Sequence, residues 1–130
     1  MANIIEVMKN IPDYIGSNGR SEDEVAVAEK NLGTTFAPDY RLYLEEIGLA
    51  CFYGHELTGI TMDARLSVVA VTEQERAANP NIPFPWYVVE QTGFDGIVIW
   101  QSPSGEIYQT VLGTQIRKIC GSLLEYVSEI

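Results

Sequence analysis

Basic residues are scarce in this chain. It carries 8 Lys and Arg against 18 Asp and Glu, for a net charge of −10 over 130 residues. Between Arg76 and Arg117 there is no basic residue at all, while Glu90, Asp95 and Glu106 fall in that interval. Nucleic acid and anionic membranes both recruit clustered Lys and Arg, so neither is expected as a direct partner. Histidine is represented once, by His55, which argues against a metal site built from His and Cys. The only cysteines, Cys51 and Cys120, lie far apart without ligand spacing and read as two buried thiols. Long apolar runs are missing too. The uncharged stretches contain Pro, Gly, Asn, Gln or Ser and are too polar to span a bilayer. Residues 1–20 lack the basic start and apolar run of a signal peptide, so a cytoplasmic protein is expected. With no internal repeat and no Pro/Gly-rich linker, residues 1–130 are expected to form one domain, long enough to bury a core without disulfide or metal.

What is present begins with two short helices. Ser21 to Glu24 is a capping box, in which the Ser21 hydroxyl accepts from the Glu24 amide and the Glu24 carboxylate reaches back. Val25, Ala28 and Leu32 repeat at helical spacing, and Gly33 supplies a left-handed end. Pro38 suits the first turn of the next helix, where its missing N–H costs nothing, and Asp39 suits the positive end of the helix dipole. Tyr40, Tyr43, Leu44 and Ile47 form that helix's apolar stripe, which Gly48 ends.

Around this pair the pattern is mixed. Asn3 and Glu6 cap a first helix bearing Ile4, Ile5, Met8 and Ile11, with Pro12 as its stop. Residues 51–61 mix Phe52, Tyr53, Leu57 and Ile60 with Gly54 and Gly59, as in an irregular strand. Residues 67–79 read as a helix ending before Pro80, with Thr72 and Glu75 as its capping box, although Val68, Val69 and Val71 also favour a strand. A meander follows. Tyr87 to Val89 makes one strand, residues 92–96 a turn, Ile97 to Gln101 a second strand, and Glu106 to Val111 a third. Ser102-Pro103-Ser104-Gly105 is a tight turn with Pro second and Gly fourth. Ile97 and Ile99 face one way and Val98 and Trp100 the other, so this strand is expected centrally, covered on both faces. Ser122 to Glu125 opens a last helix with Leu123, Leu124, Tyr126, Val127 and Ile130 on its apolar side. The fold class is α+β: an antiparallel sheet, meandering in the C-terminal half, with helices packed around it.

The order Ser21, Glu24, Leu32, Gly33, Pro38, Tyr40, Leu44, Gly48 resembles the front of the SUKH superfamily, the Smi/Knr-type immunity proteins. Trp100 to Gly105 resembles that family's Trp-x-x-x-Gly hairpin, and with the Ser-Leu-Leu-Glu-Tyr helix the likeness covers roughly residues 20–130. The resemblance implies a sheet with surrounding helices. It also implies a protective role against toxin domains, often nucleases, or the partner-binding role of the fungal cell-wall regulators.

Catalytic constellations are sparse. His55 with Cys51 is the one pair that could serve a small enzyme, and their spacing says little about reach. Glu22 with Asp23, Glu45 with Glu46, and Glu73 with Glu75 do not face each other on helices and read as solvated surface. No phosphate loop or EF-hand spacing occurs. Trp86, Trp100, Tyr87 and Tyr108 suit strand and core packing better than a ligand platform. The expectation is therefore a non-enzymatic immunity protein with no catalytic residue, cofactor or metal. It would cover a basic toxin, a nuclease by preference, through an acidic surface drawn from Glu56, Asp63, Glu90, Asp95 and Glu106. An interaction scaffold of the same superfamily is the alternative, with a Cys/His enzyme behind it.

Overall fold

Ser21 caps its helix as its sequence suggests: its hydroxyl accepts from the Glu24 amide at 3.1 Å, and the Glu24 carboxylate accepts from the Ser21 amide at 3.0 Å. In a computed structural model, which describes residues 3–111 and 115–130, the elements follow in this order: α1 (Ile4–Lys9), β1 (Ile15–Gly16), α2 (Glu22–Leu32), α3 (Pro38–Glu46), β2 (Ala50–Phe52), β3 (His55–Glu56), α4 (Val68–Ala78), β4 (Tyr87–Gln91), β5 (Ile97–Gln101), β6 (Ile107–Val111), β7 (Gln115–Cys120) and α5 (Leu123–Ser128). The fold is α+β. β4, β5, β6 and β7 form an antiparallel meander, and β1, β2 and β3 a small antiparallel sheet beside it. Among the described residues no helix is long and apolar enough to cross a membrane.

β5 is an inner strand with both faces covered, as its two-sided apolar pattern requires. On one face Ile99 joins the main core with Tyr87, Val89 and Ile107, against side chains from α1, α2, α3 and α5. On the other, Val98 and Trp100 pack with Val88 and with Val71 of α4. The centre of the main core is aromatic. Phe36 meets Tyr40 and Tyr87 edge-on, with ring centroids 5.2 and 4.9 Å apart. Such pairs add about 0.5–1.5 kcal/mol each beyond area burial. Their hydroxyls are all spoken for. Tyr40 and Tyr43 both donate to the Thr58 carbonyl, and Tyr87 donates to Gln101 Oε1 while accepting from the Ala37 amide.

Three expectations are corrected. α1 ends at Lys9, ahead of Ile11 and Pro12. α4 starts from Ser67, whose hydroxyl accepts from the Ala70 amide, and not from Thr72. Burying Val68 and Val71 against the sheet fixes that start, and the Thr72 hydroxyl is left to accept from the Val88 amide at 3.0 Å. The meander also has a fourth strand, β7, beyond the three read from the sequence. Its mostly exposed residues hide the alternation that marks a half-buried strand.

β4 contains a bulge between Val88 and Glu90. Val88 stands opposite Trp100, yet Glu90 stands opposite Ile99 and not Val98. The extra residue turns the Glu90 side chain away from α4 and toward α5, since one residue of slip exchanges the faces of a strand.

Candidate functional site

Tyr53 and Gly54 form a two-residue hairpin loop with φ of 49° and 78°, both left-handed as a type I′ turn requires. The Asp13 carboxylate accepts from the Tyr53 amide at 2.8 Å and pins this loop to the start of the chain. The turn sets His55 opposite Phe52 and Glu56 opposite Cys51. His55 Nδ1 lies 2.8 Å from Glu90 Oε2, and the Tyr126 hydroxyl donates to the other oxygen of the same carboxylate. Glu90 itself is buried, at 2 % exposure. Burial first, and then the Glu90 charge, push the Tyr126 phenol well above its ordinary range.

This His55–Glu90–Tyr126 cluster borders a depression of about 480 Å³ between the meander and α5. Ile97, Ile99 and Ile119 supply apolar wall, Gln109 and Thr92 polar edges, and Glu129 and Ile130 the α5 side. Phe94, 74 % exposed, stands at its rim on the turn between β4 and β5. The contact of Nδ1 with Glu90 holds the imidazole, one-third exposed, in a fixed orientation at the edge of the depression. That arrangement orients a histidine. It does not bring Cys51 to it, because cross-strand pairing sets Cys51 on the opposite face of the hairpin from His55. Cys51 borders a separate hollow of about 190 Å³ with Ile15 and Leu66. No cluster of His, Cys, Asp and Glu fit to hold a metal ion occurs among the described residues.

The five carboxylates singled out in the sequence do not form one face. Glu56 and Asp63 come together around Arg65: the guanidinium grips Glu56 at 2.7 and 3.2 Å, and Asp63 accepts from the Arg65 amide. That grip lowers the Glu56 carboxyl below its ordinary range. Glu90 is enclosed in the cluster just described. Asp95 sits in the turn before β5 and Glu106 follows the turn after it, so a whole strand separates them. Glu106 accepts from Lys118 at 3.1 Å and from Tyr108 at 3.0 Å, and the Lys118 bond chiefly lowers its carboxyl. The basic-free interval in the sequence is thus answered in space by β7, which returns Lys118 to Glu106.

Trp86 and Tyr108 stack at 4.0 Å between centroids with 17° between planes, and they cover the second core with Ile82. Packing is their role. Sequence reasoning missed the union of His55, Glu90 and Tyr126. The available signal was Glu90 itself, a carboxylate within a strand that is otherwise buried, which demands enclosed donors.

A search of curated proteins finds no match. A family model described as SUKH_5, SMI1-KNR4 cell-wall, matches residues 1–130. Its match spans the helix pair, the meander and the terminal helix alike, and the chain belongs to the SUKH family of SMI1-KNR4 proteins.

Proposed function

We propose that this chain is a non-enzymatic immunity-type protein that binds a cognate toxin domain in the cytoplasm and neutralises it by covering its working surface. One observation carries the reading. The depression beside α5 presents an exposed aromatic, Phe94, over an apolar wall, and the histidine it contains lies on the opposite face of its hairpin from Cys51. A rigid aromatic over a pre-formed apolar hollow suits a binding anchor, whereas turnover needs a nucleophile or an acid–base pair in reach. Family membership supports the same class of role.

A basic toxin, such as a nuclease with a phosphate-binding groove, is the partner that the net charge of −10 favours. Charge of this sign raises association rates by roughly 10–10³-fold and makes them fall with salt. Because Glu56 and Glu106 carry their own cations, Glu90 is buried and Asp63 is engaged by the Arg65 amide, Asp95 is the member of the five best placed to meet a cation from outside. A toxin domain encoded in a neighbouring reading frame is the partner to seek, and co-expression with it tests the reading: growth is restored if it is right and not restored if it is wrong. With the complex in hand, Asp95→Lys and Glu106→Lys are compared across salt concentrations. Unchanged affinity and an unchanged salt slope in both would remove these carboxylates from the interface.

The scatter of the carboxylates over both ends of β5 favours a second reading, a scaffold that engages several partners weakly. It predicts micromolar capture of more than one protein and no toxin beside the gene.

A further inference from the structure

Glu75 stands half-buried on α4 beside a second depression of about 480 Å³, between that helix and the turn that joins β4 to β5. Its Oε1 accepts from Asn79 Nδ2 at 3.1 Å and its Oε2 from Gln91 Nε2 at 2.6 Å. Asn79 is the C-cap of α4, and Gln91 closes β4, returned to the α4 side by the bulge that sends Glu90 the other way. Both donors are side-chain amides, which carry no charge, so the two bonds orient the carboxylate and bring it no counter-charge. Among the described residues no Lys or Arg pairs with Glu75. Its neighbour Arg76 is taken up by the Leu32 and Trp86 carbonyls, at 2.8 and 3.3 Å. Asp95, exposed, lies between Gly93 and Gly96, which line the same depression. Ala78, Ile97 and Val98 supply apolar wall. A fixed carboxylate without a cation, set over apolar wall, selects its occupant by charge.

We propose that this groove between α4 and the β4–β5 turn seats an arginine side chain of the partner protein. The inference rests on the reading of the chain as a protein-binding module and names the chemistry of one contact. Each Glu75 oxygen holds one donor and keeps acceptor capacity for another. Two acceptors side by side match the fork of a guanidinium better than the single point of an ammonium. The two amides fix the carboxylate beforehand, so little side-chain freedom is lost when the guanidinium arrives. The arginine stem lies along Ala78 and Ile97. Asp95, in the turn that bounds the groove, steers the approaching cation.

The test is an NMR titration of the whole chain, following backbone and side-chain amides. The probes are acetyl-Gly-Arg-Gly-amide and, separately, its citrulline counterpart, which has nearly the same shape without the charge. The arginine peptide is expected to shift the side-chain amides of Asn79 and Gln91 together with the backbone amides of Gly93 and Gly96. It should bind at least about tenfold tighter than the citrulline peptide. Glu75→Gln, which keeps the shape of the side chain, should weaken it by about tenfold. Equal binding of the two peptides, shifts confined to another surface, or unchanged affinity in Glu75→Gln would overturn the assignment. The first two are read on the wild-type chain and need no variant to fold. The toxin complex separates this inference from the broader one. A toxin that is neutralised, and bound as tightly by Glu75→Gln as by wild type, removes the groove and leaves the immunity reading standing. Arginine-peptide binding in the groove without any toxin being neutralised does the reverse.

Discussion

Asp39 Oδ2 accepts from the Leu123 amide at 2.7 Å and from the Leu124 amide at 3.3 Å, across 84 residues of sequence. Its other oxygen accepts from Gln101 Nε2 at 3.0 Å. One carboxylate in the first turn of α3 therefore caps α5 and holds the end of β5. Ser122 supplies the remaining cap, accepting from the Glu125 amide at 3.0 Å.

Asp39→Ala leaves three donors without their acceptor and is expected to cost about 2–3 kcal/mol, while Asp39→Asn, which keeps one oxygen, costs about half as much. Urea unfolding reads both. Equal midpoints for wild type and Asp39→Ala would show that water replaces the carboxylate without loss.

Two glycines of the small-sheet region should behave differently. A Cβ at Gly59 would lie 1.9 Å from the Gly48 carbonyl oxygen, so Gly59→Ala must move backbone and is expected to cost about 1–3 kcal/mol or more. Gly54 has open space around it, and Gly54→Ala meets only the strain of φ +78°, about 1 kcal/mol. Thermal unfolding of the pair ranks them, and a larger loss at Gly54 contradicts the packing at Gly59.

Acid sensitivity follows from carboxylates whose titration is lowered in the fold. Glu24 is lowered chiefly by the Ser21 amide, Glu56 by Arg65, and Glu106 by Lys118. A depressed carboxyl contributes stability that is complete above its ordinary value of 4.5 and is lost as pH falls through its folded value below that. Urea midpoints should hold steady from neutrality to about pH 5 and then fall toward about pH 2. The fall should be shallower in Glu24→Gln, and an identical slope in that variant would show that the capping box does not titrate with folding.

The two thiols should label in order. Cys51 is half-buried at the edge of its hollow, whereas Cys120 is buried and its thiol is pushed up, chiefly by that burial. Iodoacetamide near neutral pH is expected to modify Cys51 first and Cys120 only when the chain opens. Fast labelling of Cys51 that disappears in His55→Ala would restore the enzyme reading.

The sequence by itself determined the local devices, because each depends on neighbours a few residues away. The Ser21 capping box, the left-handed Gly33, Pro38 at the head of α3 and the two-faced apolar strand Ile97 to Gln101 were all legible. β7 was not, since an edge strand with exposed residues on most positions has no pattern to show, and with it went the cation that answers Glu106. The site belongs to tertiary structure alone. A single bulged residue in β4 decides which face Glu90 takes. Only the packing of α5 and the small sheet against that face then brings Tyr126 and His55, 36 and 35 residues away, to one carboxylate. Strand register is set by which faces can be buried together, and no stretch of sequence contains that sum.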